Sequence, residues 1–176
     1  MLLRKSDLGL GYVAYPPGPE GNTSCKPLDE SDLTVTGEAR SRNYRSGLIT
    51  IASDTDVYES VADANASWRR GTSVAGMACL KATVRHEYAK AGLKLLSFRK
   101  TSFPRVAPKT VAFRVALEGQ AQGLTVRAYI DLVALQQARA QASLAFASAI
   151  DPLEQPEQVR IARIVASRMA KTMRGA

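Results

Sequence analysis

The stretch from Thr110 to Ile150 constrains the fold more than any other part of the chain. Val111, Phe113, Val115 and Leu117 alternate with Ala112, Arg114, Ala116 and Glu118. After Gly123, Leu124, Val126, Ala128, Ile130 and Leu132 alternate with Thr125, Arg127, Tyr129 and Asp131. After Gln136-Gln137, Ala140, Ala142, Leu144 and Phe146 alternate with Arg139, Gln141, Ser143 and Ala145. A period of two places one set of each run on one face of a pleated sheet. The connections are a few residues long, whereas a parallel crossover needs about a dozen, so the three runs predict an antiparallel meander. Taken in sequence order, the apolar sets share one face and the arginines the other.

The rest of the chain builds around that block. A short helical turn is expected over 3–9, then a Pro/Gly-rich loop over 15–32. Strands are expected over 33–42 and from Leu48 to about Tyr58, with Asn43 to Gly47 as their hairpin connection. From Ser60 to Ala91 the period becomes helical, with Ser60 or Asp63 as cap and a break at Gly71-Thr72-Ser73. Ala75, Cys79, Ala82 and His86 would form the inner stripe of the second helix. A further strand covers 93–102. The last helix follows Asp151-Pro152, with Ile161, Ala162, Val165, Ala166 and Met169 as its apolar stripe. The expected class is α+β: one domain, 1–176, with a mainly antiparallel sheet of about six strands and helices packed on it.

Charge is unevenly placed. Residues 1–88 carry 10 Lys and Arg against 11 Asp and Glu, and residues 89–176 carry 14 against 5, so the C-terminal half holds the whole excess of +8. That favours an anionic contact, although an Arg-rich soluble surface has the same signature. No apolar run approaches the ~20 residues a bilayer requires. Met1-Leu2-Leu3-Arg4-Lys5 meets charge at once and is no signal peptide itself. Its domain-like opening reads as the start of a chain trimmed of one.

Cys25 and Cys79 match no CxxC metal or redox spacing, so neither a metal nor a cofactor is expected. A bridge between them would be worth roughly 4 kcal/mol in the chain-entropy model and would imply an oxidising compartment. It would also tie down a loop with little else to hold it.

Nothing rises to a catalytic signature. His86 is the single histidine, lies within a predicted helix, and has no nucleophile elbow to serve. Asp54, Asp56, Glu59 and Asp63 cluster, but Tyr58 and Glu59 stand where a calcium loop needs an oxygen ligand and a glycine. They read as a solvated helix start. Gly9-Leu10-Gly11 lacks the preceding strand and third glycine of a dinucleotide loop. The set that could bind something is Arg114, Arg127 and Arg139 with Tyr129, a candidate clamp for a carboxylate, sulfate or phosphate. The competing reading pairs these arginines across strands with Glu118 and Asp131, and a one-residue register slip would dissolve the set. The basic stripe of the last helix could meet anionic lipid or polymer. Lys and Arg are not interleaved with aromatics, which argues against nucleic acid.

Several segments together resemble a known group. They are Leu2-Leu3-Arg4-Lys5-Ser6-Asp7-Leu8, Trp68 followed by Cys79, Phe113-Arg114-Val115, and Arg127-Ala128-Tyr129-Ile130-Asp131. Ala140 to Ile150 running into Ile161-Ala162-Arg163-Ile164-Val165-Ala166-Ser167-Arg168-Met169 completes the set. The chain resembles actinobacterial extracytoplasmic domains, namely LpqN-type lipoproteins and the sensor domain of PknH-type receptor kinases. That resemblance implies a PsbP-like α/β/α sandwich, a non-enzymatic domain with a cleft for a ligand or partner, and a signal or lipid anchor upstream. It strengthens the expectation of a Cys25–Cys79 disulfide. The sensor domain has more cysteines than this chain, so no cleft residue carries over. The expected function is therefore extracytoplasmic ligand or partner binding, of a small molecule, an envelope polymer or a protein. The alternatives are an envelope assembly protein, or a small enzyme built from His86 and the Asp54–Asp63 acids.

Overall fold

Register decides how many faces a sheet has to bury, and here it gives two. The structure, a computed structural model, describes residues 1–17 and 25–175, so residues 18–24 of the Pro/Gly-rich loop lie outside it. The strands are β1 (Val13–Tyr15), β2 (Val35–Arg40), β3 (Asn43–Ser46), β4 (Ile49–Tyr58), β5 (Lys94–Thr101), β6 (Lys109–Ala121), β7 (Leu124–Gln137) and β8 (Ala140–Ala149). The helices are α1 (Val61–Thr72), α2 (Val74–Lys90) and α3 (Gln155–Arg174), with 3-10 turns at Lys5–Asp7 and Lys26–Leu28. All eight strands form one antiparallel sheet in the order β1-β3-β4-β8-β7-β6-β5, with β2 beside β4.

The α+β class and the antiparallel meander are as expected, with eight strands where about six were anticipated. The additional strands are β1 and β3. The segment expected to be a hairpin connection, Asn43 to Gly47, is largely β3, which continues along the edge of β4 that β2 occupies. The chain jogs between them at Ser41, whose backbone N–H donates to the Ser53 carbonyl at 2.8 Å while its Oγ accepts from the Ser53 N–H, also at 2.8 Å. That short-range exchange leaves no hydrophobic signature in the sequence.

The division into one apolar and one arginine-bearing face is overturned. Val115 pairs with Ile130, and Ile130 pairs with Ala147 rather than Phe146. The cause is the tight β7–β8 turn, where Ala138 adopts φ 50° and Gln137 pairs directly with Ala140. One face therefore carries Val111, Phe113, Val115, Leu117, Ile130 and Leu132. The other carries Val133, Leu135, Ala142, Leu144 and Phe146. Each face must be covered, so helices pack on both.

On the second face, α3 lays Ile161, Ala162, Val165 and Met169, all sealed from solvent, over Val133, Leu135, Leu144, Phe146 and Ile51. The stripe read from the sequence is the one buried. Leu3, Leu8 and Tyr12 close the end of this core. Asp7 holds them in place: Arg168 donates two hydrogen bonds to its carboxylate, each 2.5 Å, and a third to the Leu2 carbonyl at 2.9 Å.

On the first face sit α1 and α2. Ser60 caps α1, its Oγ accepting from the Asp63 N–H at 3.0 Å, and Ser73 caps α2 by accepting from the Gly76 N–H at 2.9 Å. A side chain at Gly76 would run into the Arg70 carbonyl and Leu28, so glycine permits the sharp α1–α2 corner. Cys25 and Cys79 are joined, their Cα atoms 6.4 Å apart, which ties the Lys26–Leu28 turn to α2. The inner stripe of α2 differs from expectation. Ala75, Ala82 and His86 are exposed, and the partly covered residues are Met77, Leu80, Val84 and Tyr88. The larger side chains, not the alanines, face the sheet.

Candidate functional site

Both cavities of interest flank the β5–β6 end of the sheet, one on each face. Strand β5 ends the sheet, pairing only with β6. Its alternation puts Phe98 and Lys100 on the face that also carries Val115 and Phe113, and Arg99 on the opposite face, across from Arg114. The Phe98 and Phe113 rings stack with centroids 6.0 Å apart. Helix α2 packs along β5 beside these rings. A cleft of about 380 Å³ remains between them.

Its walls are Val74, Met77 and Ala78 from α2 and Phe98, Val111 and Phe113 from the sheet, with Lys81 and Lys100 at its rim. Val74 is 90% exposed, an apolar side chain that shelters nothing as the molecule stands. Both lysines are exposed. Among the described residues neither has an ion-pair partner, and the lining contains no acid. An apolar floor under uncompensated cations suits a ligand with an apolar body and an anionic end.

The second cavity, about 310 Å³, lies under α3 on the other face and is polar. Thr101, Ser102 and Phe103 form one side, Arg114 and Asp131 the floor, and Gln155 and Gln158 the α3 wall. Asp131, only 3% exposed, accepts from Arg114 Nε at 2.6 Å and Nη2 at 2.9 Å, and from Gln158 Nε2 at 2.6 Å. Hydrogen bonds from the guanidinium to Asp131 hold Arg114 further toward its charged form, against the effect of burial.

The candidate clamp is thus distributed. Arg114 and Arg127 share the α3 face with Tyr129, and Arg114 is engaged by Asp131 while Arg127 stands directly opposite Glu118. Arg139 lies in the β7–β8 turn with its side chain toward the other face, where Nη1 donates to the Tyr58 carbonyl at 3.2 Å. The structure does not bring the three guanidiniums together. On α3, Arg160 is paired with Glu157 and Arg168 with Asp7, which leaves Arg163, Lys171 and Arg174 of the basic stripe.

His86 is exposed on α2, which packs on β5, α1 and the Lys26–Leu28 turn, whereas Asp54 and Asp56 belong to β4, separated from β5 by three intervening strands. Trp68 is half-buried, with Lys109 Nζ 5.7 Å from its ring centroid. Among the described residues no group of three or more His, Cys, Asp and Glu side chains is placed to hold a metal ion.

The acids of β4 form a like-charge corner. Asp56 pairs in register with Glu38, and Glu30 accepts a hydrogen bond from Tyr58 Oη at 2.9 Å nearby. Burial, then the charges of Glu38, Glu30 and Asp54, push the Asp56 carboxyl up to about 6. The native state therefore holds this proton more tightly than the unfolded chain does. The associated stability is present below about pH 4 and is lost as pH rises through 6. Replacing Asp56 with Asn should raise the thermal midpoint near pH 7.5, with a gain on the order of 2 kcal/mol that shrinks toward pH 4. A variant less stable than the parent near pH 7.5 would contradict this assignment.

Compared with models of known families and with curated proteins, the chain matches none. What the fold and cavities define is a class: a disulfide-tied α+β domain with an eight-stranded antiparallel sheet, helices on both faces and a cleft at one sheet end. Among the described residues no helix is long and apolar enough to cross a membrane. Sequence reasoning passed over Lys81, Phe98 and Lys100. Alternation in β5 pairs Phe98 with Lys100, a signal that needed the position of α2 to acquire meaning.

Proposed function

We propose that this is a non-catalytic binding domain of an oxidising, extracytoplasmic compartment, and that its cleft between α2 and β5–β6 takes an amphiphile with an anionic head. The observation that carries this reading is the 380 Å³ cleft with aromatic walls and two unpaired lysines at its rim. The apolar part of the ligand lies against Phe98 and Phe113, and its anionic group meets Lys81 and Lys100. The Cys25–Cys79 bridge supports the compartment, since such bonds persist where thiols are not kept reduced. The resemblance to LpqN-type lipoproteins and PknH-type sensor domains supports the same reading, including a signal or lipid anchor upstream.

The test uses oleate as probe and oleyl alcohol as its uncharged counterpart, followed by calorimetric titration. Reversing both rim charges with Lys81→Glu and Lys100→Glu should weaken oleate binding by about tenfold or more and leave oleyl alcohol binding within about twofold. Filling the cleft with Met77→Trp should abolish both. No measurable oleate binding by the parent protein, or equal binding by the charge-reversed variant, would overturn the proposal.

A further inference from the structure

We infer that the polar cavity beneath α3 is a second binding site, for a small neutral group that presents both a hydrogen-bond donor and an acceptor, as a carboxamide or a vicinal diol does. It is independent of the apolar cleft, because Arg114 and Phe113 are sequence neighbours on β6 and point to opposite faces of the sheet.

The argument begins with Gln158, a side chain 3% exposed in the wall of this cavity. Its Nε2 donates to Asp131 Oδ2 at 2.6 Å and to the Leu153 carbonyl at 2.7 Å. Both partners are acceptors only, so the amide orientation is fixed and Oε1 is turned the other way. Among the described residues Oε1 accepts no hydrogen bond. Among the described residues, the side-chain atoms sealed from solvent without a partner are Thr55 Oγ1 and Gln136 Oε1. Gln158 Oε1 is not one of them, so it keeps some access to solvent, and the Gln158 side chain lines the cavity. An acceptor oriented in this way is available to any donor that enters the cavity.

The complementary donor lines the same cavity. Arg114 engages Asp131 through Nε and Nη2, and Nη1 has no partner among the described residues. Arg114 and Gln158 both bond the same carboxylate and both line the cavity, so Arg114 Nη1 supplies it with a donor and Gln158 Oε1 with an acceptor. The charge of the cavity floor is already balanced by the Arg114–Asp131 pair. An anion would gain little from Arg114 and would meet the Asp131 carboxylate, while a cation would meet Arg114. A neutral group fits both: its donor serves Gln158 Oε1 and its acceptor takes the Arg114 Nη1 proton. Phe103 supplies an apolar side wall, and a volume of about 310 Å³ holds one small ring with its shell of water.

The experiment records amide side-chain resonances of Gln158 in the intact chain while nicotinamide, myo-inositol or acetate is added. Saturable shifts of the Gln158 side-chain resonances with nicotinamide or with myo-inositol support the site, and the one that binds more tightly identifies carboxamide or diol as its ligand. Two variants guard against a folding artefact. Gln158→Met removes the acceptor and should weaken binding about tenfold or more. Gln155→Trp, at an exposed mouth position, should block binding while leaving the melting temperature unchanged. Shifts with acetate alone, no shift with either neutral probe, or undiminished binding by Gln155→Trp would overturn the inference.

Discussion

Replacing Cys25 and Cys79 together with serine lowers the free energy of unfolding by about 4 kcal/mol, the loop-closure value for a sequence separation of 54. The crosslink spans β2 through α1, so its loss frees a large part of the unfolded chain. Its native-state role is equally specific. Near the bridge, Leu28 abuts Gly76, and just beyond the turn Arg70 donates to the Asp29 carbonyl and the Asp32 carboxylate. The helix this turn steadies is the outer wall of the apolar cleft. The serine variant should accordingly lose oleate affinity even under conditions where the sheet remains folded. Urea denaturation of oxidised, reduced and serine forms checks both statements. A stability loss under about 1 kcal/mol would show that the bridge constrains nothing the rest of the fold does not already fix.

Replacing Arg168 with alanine should cost about 3–5 kcal/mol, because it strands the Asp7 carboxylate inside the protein. Asp7 is 8% exposed, and without Arg168 it keeps only the Arg4 N–H at 2.6 Å. The pH dependence identifies the cause. Burial raises the Asp7 pKa, but hydrogen bonds from Arg168 and the Arg4 N–H, with their charges, bring it below the ordinary carboxylate value. A carboxyl depressed in the native state contributes stability at pH values above its unfolded pKa, near 3.9, and that contribution disappears as acid protonates it. In Arg168→Ala this acid-labile component should be missing, so the difference from the parent narrows as pH falls toward about 3. Pairing the change with Asp7→Asn should recover part of the loss, since an uncharged side chain is cheaper to bury unpaired. An alanine variant as stable as its parent at neutral pH would refute the account.

The elements that the sequence made legible are those with strong periodicity. The α3 stripe and the β6–β7–β8 alternation each repeat one signal several times, and a repeated signal survives local exceptions. Strands β1 and β3 were hidden because three or four residues cannot establish a period. Register was hidden for a different reason. Alternation says which residues of a strand share a face, but not which of two apolar faces neighbouring strands will align. That choice rests on the turn at Gln137–Ala140, where Ala138 takes a positive φ that its identity does not advertise.

The site followed the same division. That Arg114 could pair with Asp131 was readable, because both lie on alternating runs of adjacent strands. That Gln158 would complete the group from α3 was not, because the helix stripe was read by hydrophobicity and Gln158 is polar. Lys81 and Lys100 belong to elements that meet only through the sheet order, and no pattern within either announces the other.

Covering the two faces so unequally has a mechanical outcome. The α3 side is a tightly interlocked block, with Phe146, Leu144, Ile161, Val165 and Met169 at or near zero exposure, whereas Gly76 is the single buried residue of α2. Opening the α2 side would therefore expose less sealed apolar surface than opening the α3 side. A ligand entering the proposed cleft would then disturb the less sealed of the two layers and leave the α3 block in place.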